Sequence, residues 1–279
     1  MRALIGLLCL PLMAESPAAV DRALERLYNF DFPSAHRVLS AQIAQVPGDH
    51  LAHATRAAAY LFHELDRLAI LEISFFSDDS RIKETRKLKA DPEIRNRFFE
   101  SINEAQRLAQ ERLAKDASDK DALMTMAITF GMWTDYAALV EKKQLSSLGL
   151  AGKSNHYGQK LLRLDPSYED AYLARGITEY LIGSLPFFVR WFVRIEAVSG
   201  DKKQAIADLQ RVAKNGRLYG PFARILLSVI YLREKKLSES QRVLAELARD
   251  FPENPLIRKE LAKVTDLMRN GGASKASVY

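Results

Sequence analysis

One device recurs along this chain and restricts its folding more than any other: a helix stop followed at once by a helix start. It stands at Ala-Gln-Val-Pro-Gly-Asp (44–49), Ala-Lys-Asp-Ala-Ser-Asp (114–119), Arg-Leu-Asp-Pro-Ser-Tyr (163–168) and Ala-Arg-Asp-Phe-Pro-Glu-Asn-Pro (248–255), each time between Leu/Ala-rich stretches. Proline ends a helix because it lacks an N–H and disfavours α geometry in the residue before it. The acidic or small polar residue that follows is suited to accept the free N–H groups of the next helix. Between the stops, apolar residues recur at helical spacing and predict helices over 18–29, 34–46, 49–76, 92–116, 120–145, 151–164, 169–183, 201–215, 221–234, 237–250 and 255–269. Alternating Val/Ile/Thr runs bounded by Asn-Gly or Asp-Gly do not occur, so strands are not expected. The chain reads as all-α, and the repeated device reads as an array of antiparallel helix hairpins.

The array has a more specific grammar. Ser228 and Tyr231 sit three apart on one helix, Ser240 and Leu244 follow on the next, and Pro252 ends the unit. Ala127 with Phe130 begins a second copy; Ala35, Leu39 and Pro47 carry the later half of a first; Gly176 keeps the small position of a fourth, where Glu179 replaces the aromatic. This pattern resembles the tetratricopeptide repeat (TPR), in which small residues let paired helices approach and aromatics fill the wedge between hairpins. The resemblance covers roughly 18–269. It implies a TPR-like right-handed superhelix of about five hairpins whose concave side binds a protein or peptide. Pro47, Ala117, Pro166 and Pro252 lie 70, 49 and 86 residues apart, so insertions lengthen several units. A narrower likeness at 176–233, through Gly176, Leu185-Pro186 and Gly200-Asp201-Lys202, resembles Iml2-type tetratricopeptide proteins and exported bacterial relatives; it implies a scaffold with no chemistry of its own.

The N-terminus has a different character. Met1-Arg2 precedes an apolar stretch, Ala3 to Met13, interrupted only by Gly6 and Pro11, and Ala14 stands before the polar Glu15-Ser16-Pro17. This is the pattern of a secretory signal peptide over 1–14, and it predicts an exported protein, periplasmic or secreted. Its removal leaves 40 basic against 35 acidic residues and takes away Cys9, the single cysteine, so stability must come from packing without disulfides. Bulky Leu8 before Cys9 does not suit lipid attachment. The folded domain is then 15–269, with insertions near 77–92 and 185–200 and a disordered tail at 270–279. A composition of 48% hydrophobic and 27% charged residues excludes a disordered polyelectrolyte. No run of five Lys/Arg appears, so nucleic acid is not an expected partner. No apolar run approaches the roughly 20 residues of a membrane-spanning helix.

In a hairpin array the first helix of each pair lines the concave side. The residues so placed are Met124, Ile128 and Met132; Leu173, Ile177 and Tyr180; and Phe222, Ile225, Val229 and Leu232. The row suits an apolar peptide helix or a lipid-like molecule, although stripes at helical spacing are as often core. Arg175 and Glu179, four apart, are expected to neutralise each other or to anchor a ligand, with Asp135 and Tyr180 as further polar contacts. The segment 185–195, Leu-Pro-Phe-Phe-Val-Arg-Trp-Phe-Val-Arg-Ile, sets Phe187, Phe188, Trp191 and Phe192 beside Arg190 and Arg194. It suits either the membrane surface or burial in the groove, and burial is favoured because so apolar a patch aggregates when exposed.

No constellation with evident chemistry stands out. His36, His50, His53 and His63 fall within 28 residues, but His63-Glu64-Leu65-Asp66-Arg67 lacks the second histidine of a zinc-binding H-E-x-x-H motif. No nucleophile elbow, P-loop or dinucleotide fingerprint occurs, so neither an enzyme nor a cofactor is expected. The reading is a non-enzymatic scaffold for a protein or peptide, with the carriage of an apolar small molecule or lipid inside the superhelix as the alternative.

Overall fold

The computed structural model of the chain describes residues 16–72, 89–185 and 198–276. The predicted signal peptide, the aromatic residues Phe187, Phe188, Trp191 and Phe192, and most of the charged insertion lie outside the described residues. Within them the chain is helical throughout: α1 (Ser16–Tyr28), α2 (Phe32–Gln45), α3 (His50–Arg67), α4 (Pro92–Lys115), α5 (Lys120–Asp135), α6 (Gln144–Leu164), α7 (Tyr172–Ser184), α8 (Lys202–Asn215), α9 (Gly220–Arg233), α10 (Leu237–Asp250) and α11 (Pro255–Ala276).

The recurrent loops work as their residues dictate. Asp49 accepts the N–H of Ala52 at 3.0 Å and Asp119 that of Ala122 at 3.0 Å, each relieving a free donor at a helix start. Asn254 does the same for Leu256 and Ile257 before α11. A second turn type recurs where no proline intervenes. Phe30, Ala69 and Lys235 take left-handed backbone angles, and the residue after each returns its N–H five positions back: Asp31 to Arg26, Ile70 to Leu65 and Lys236 to Tyr231. This is the reciprocal helix-end bonding that glycine usually supports. It ends α3 at Arg67, well before the 76 expected from periodicity.

Successive helices pair as α1/α2, α3/α4, α5/α6, α7/α8 and α9/α10, with α11 closing the far side of α10. Ala35, Ala127, Gly176 and Ser228 are all buried. A Cβ on Gly176 would stand 3.0 Å from the Leu209 side chain and 3.2 Å from the Ala205 carbonyl, so α7 and α8 meet at van der Waals distance only because that atom is missing. Two hairpins are stitched alike: Ser154 donates to the Ala127 carbonyl at 2.8 Å, and Ser240 to that of Ser228 at 2.8 Å. The architecture is an all-α array of antiparallel helix hairpins.

The array does not end open. The Tyr28 hydroxyl at the end of α1 donates to the Leu218 carbonyl (3.3 Å), Asn254 donates to the Tyr28 carbonyl (2.7 Å), and the rings of Tyr28 and Phe251 lie 5.3 Å apart. Phe62 of α3 meets Phe222 of α9 edge-on at 5.6 Å, and Glu72 pairs with Lys259 of α11. The fifth hairpin therefore returns onto the first two, and the main core runs continuously from Val20 to Ile257.

Three further boundaries differ from expectation. α6 starts at Gln144 instead of 151, and α11 runs on to Ala276, past the predicted end at 269 and into the expected tail. Gly271 and Gly272 weaken a helix but, unlike proline, keep their N–H donors. α5 gives way after Asp135 to a π-helical turn, Tyr136–Val140. By length and composition alone the run Lys120–Val140 is apolar enough to cross a bilayer, contrary to the expectation that no such run exists; it is a central helix, 67% buried within the protein.

Candidate functional site: an apolar cleft inside the closed array

The inner faces of the first helices meet around a cleft with about 770 Å³ of empty space, counting its open mouth. Its wall takes Leu24 and Leu27 from α1, Leu61 and Phe62 from α3, Ile128, Met132 and Asp135 from α5, Leu173 and Ile177 from α7, and Phe222 from α9. The helical period explains the set. Ile128, Met132 and Asp135 lie on one stripe at i, i+4 and i+7, as Leu173, Ile177 and Leu181 do at i, i+4 and i+8. Leu181 keeps 41% of its surface exposed, while Ile128, Ile177 and Phe222 are half-buried.

Asp135 breaks the apolar pattern. It is the last α-helical residue of α5, directly before the π turn, a local irregularity common at functional sites. Part of its surface stays open to the cleft, with protein packed around the rest. Among the described residues its carboxylate has neither a hydrogen bond nor an ion pair. Burial alone pushes its pKa up, from the ordinary 3.8 to about 7, with no neighbouring charge contributing. The hydroxyls on the same wall are already committed: Thr134 donates to the Phe130 carbonyl (2.8 Å), Thr178 to that of Ala174 (2.7 Å) and Ser154 to that of Ala127 (2.8 Å). The Tyr28 phenol, held protonated by burial, donates to Leu218, and burial likewise pushes the Tyr219 phenol well above its usual range. The result is an apolar chamber with one unsatisfied acid, the form a small-molecule site takes when one polar group fixes orientation.

The structure brings together Ile128, Met132, Leu173, Ile177, Phe222 and Asp135 of the groove residues read from the sequence. Met124 is fully buried in the core instead, Ile225 packs on the core, Val229 is half-buried outside the cleft wall, and Leu232 joins Leu244 and Val264. Tyr180 is buried with its hydroxyl on Glu234 (3.3 Å).

The expected Arg175–Glu179 pair does not form. Arg175 turns across to α8 and grips Asp208 with two bonds of 2.6 Å. Glu179 accepts the backbone N–H groups of Ser199 (3.1 Å), Gly200 (2.6 Å) and Asp201 (2.8 Å), just before α8 begins. Gly200, at φ 78°, lies so close to Gly183 that a Cβ on Gly183 would strike its carbonyl. Intrahelical spacing suggested one pair; packing against α8 and its lead-in supplied better-placed partners to both.

The histidines likewise go separate ways. His50 bonds the Thr125 hydroxyl (2.7 Å), His53 the Pro47 carbonyl (3.2 Å), and His36 and His63 lie against the rings of Tyr60 and Phe32. Among the described residues no three His, Cys, Asp or Glu side chains converge.

Sequence reasoning missed the wall contributed by α1 and α3. The same inner-face offsets applied to those helices would have found Leu24, Leu27 and Leu61, but the repeat grammar is faintest there. Thr134 and Thr178 carry no signal beyond their place on α5 and α7.

No protein-family model matches the chain, and no curated protein matches it. Among solved structures it is similar to a thermophilic TPR protein of Thermus thermophilus, at 14% identity over 90% of this chain and 98% of that one, with a TM-score of 0.49.

Proposed function

We propose that the chain is a non-catalytic binding protein of the cell envelope, and that its inner wall is the surface it offers to a protein or peptide partner. The observation that carries this reading is the run of half-exposed apolar side chains from three successive first helices: Ile128 on α5, Ile177 and Leu181 on α7, and Phe222 on α9. Unsatisfied apolar surface of this kind, aligned along one side of a hairpin stack, is what an apolar face of a partner helix covers. The signal-like pattern at 1–14 supports the envelope location, and the lack of paired acid, base and nucleophile among the described residues of the cleft supports a binding role.

A second reading has its own observation. Because the fifth hairpin folds back onto the first two, the inner surface is a partly enclosed cleft, and its apolar lining suits carriage of a small apolar molecule or lipid. A photoreactive phenylalanine in place of Phe222, irradiated in the producing cell, separates the two. A cross-linked protein lost on Ile177→Glu is expected on the first reading. A protein that emerges uncross-linked but carries a co-purifying small molecule by native mass spectrometry replaces it with the second. Retention of the whole precursor, uncleaved, in the cytoplasm would overturn the location.

A further inference from the structure

Among the described residues a single acid lies on the cleft wall, and its carboxylate is unmatched. The wall hydroxyls of Thr134, Thr178, Ser154 and Tyr28 all donate to backbone carbonyls, whereas the Asp135 carboxyl borders the empty space and among the described residues accepts no hydrogen bond and meets no cation. Burying an acid without a partner is costly, and folds satisfy or remove such groups unless something else meets them. Glu179, on the next hairpin of the array, shows how this chain treats an acid it keeps for structure: three backbone N–H groups close on it.

We infer that the cleft takes a guest with an apolar body and a protonated amine, and that Asp135 is the group that anchors the amine. The inference rests on the reading that the inner wall holds a guest. The placement of Asp135 gives the orientation: the apolar body lies along Ile128, Met132, Leu173 and Ile177, and the amine comes to the end of that stripe. An amine suits the site better than a hydroxyl because it brings the missing positive charge, and a charge-assisted hydrogen bond is about twice as strong as a neutral one. The described wall offers no Lys, Arg or His that would compete. Its other titratable groups are the phenols of Tyr28 and Tyr219, both kept protonated by burial. The amine has two sources with the same chemistry, a small alkylamine or the lysine of an apolar peptide.

Decylamine and decanol, matched in apolar length, provide the test by calorimetry on the full folded domain at pH 6 and pH 8. Decylamine is protonated at both, while Asp135, titrating near 7, goes from mostly neutral to mostly ionised. Its affinity is therefore expected to rise about tenfold between the two, with proton release on binding at the acid end. Asp135→Asn, which keeps the shape, is expected to flatten that profile and to cost decylamine at least about tenfold at pH 8 while leaving decanol unchanged. A capped apolar peptide with one lysine identifies the source: dependence on Asp135 assigns the amine to a protein partner, and binding of decylamine alone assigns it to a small molecule. If decanol binds and decylamine shows neither preference nor pH dependence, the amine is overturned and the guest-holding cleft survives. If neither binds to the folded domain, both fall.

Discussion

Two acids enter the interior from neighbouring hairpins and are treated in opposite ways. Glu179 of α7 is 4% exposed and accepts three backbone N–H groups. Asp135 of α5 ends its helix against a π turn and, among the described residues, accepts none. The first holds α7 against the start of α8; removing it removes structure. The second has no such partner among the described residues, and its raised pKa means that ionising it works against the folded state. The contrast separates a buried charge that belongs to the fold from one that belongs to a site, a distinction that burial alone does not make.

Breaking the satisfied side should have the largest effects. Glu179→Ala leaves three part-buried donors without their acceptor and is expected to lower unfolding free energy by about 3 kcal/mol, measured by urea denaturation. An effect below about 1 kcal/mol would put Glu179 with Asp135 and erase the contrast. Arg175→Met, which abandons the nearly buried Asp208, should cost about 3 kcal/mol in the same measurement, the low end for a buried pair because the arginine is 25% exposed.

On the unsatisfied side the sign reverses. The Asp135 carboxyl holds its proton more tightly folded (about 7) than unfolded (3.8), so stability falls as pH rises from about 4 to 7. Asp135→Asn is therefore expected to stabilise by about 2–3 kcal/mol at pH 8 and by little at pH 4, read from denaturation at both pH values. Equal effects at the two would show that the acid has a hidden partner. Smaller effects sharpen the packing argument. Gly176→Ala, meeting Leu209 and the Ala205 carbonyl, should cost about 1–2 kcal/mol, and Ser240→Ala, losing its bond to the Ser228 carbonyl, about 1 kcal/mol in a thermal melt.

The parts of the fold legible beforehand were those set by neighbours in sequence. Helix starts at Asp49 and Asp119, small contact residues at Ala35, Ala127, Gly176 and Ser228, and the inner stripe through Ile128 and Ile177 all follow from local chemistry and a period of 3.6 residues. The cleft was half legible for the same reason: the stripe could be drawn, but not which members stay open. Met124 and Tyr180 obey the same spacing as Ile128 and Ile177 yet vanish into the core, because their surroundings come from helices distant in the chain. Arg175 and Glu179 were misread together for that reason too, since each found its partners about twenty or more positions away.

Sequence alone determined that this chain makes helices, stops them at fixed phrases and pairs them through small residues, since each of those choices is settled within a turn or two of backbone. Only the tertiary structure decided that the array closes, with Tyr28 against Leu218 and Phe62 against Phe222, because closure is the accumulated result of many small rotations between hairpins, and no single residue encodes it. That closure turns an apolar stripe into a chamber, and among the described residues it brings no partner to the Asp135 carboxylate on its wall.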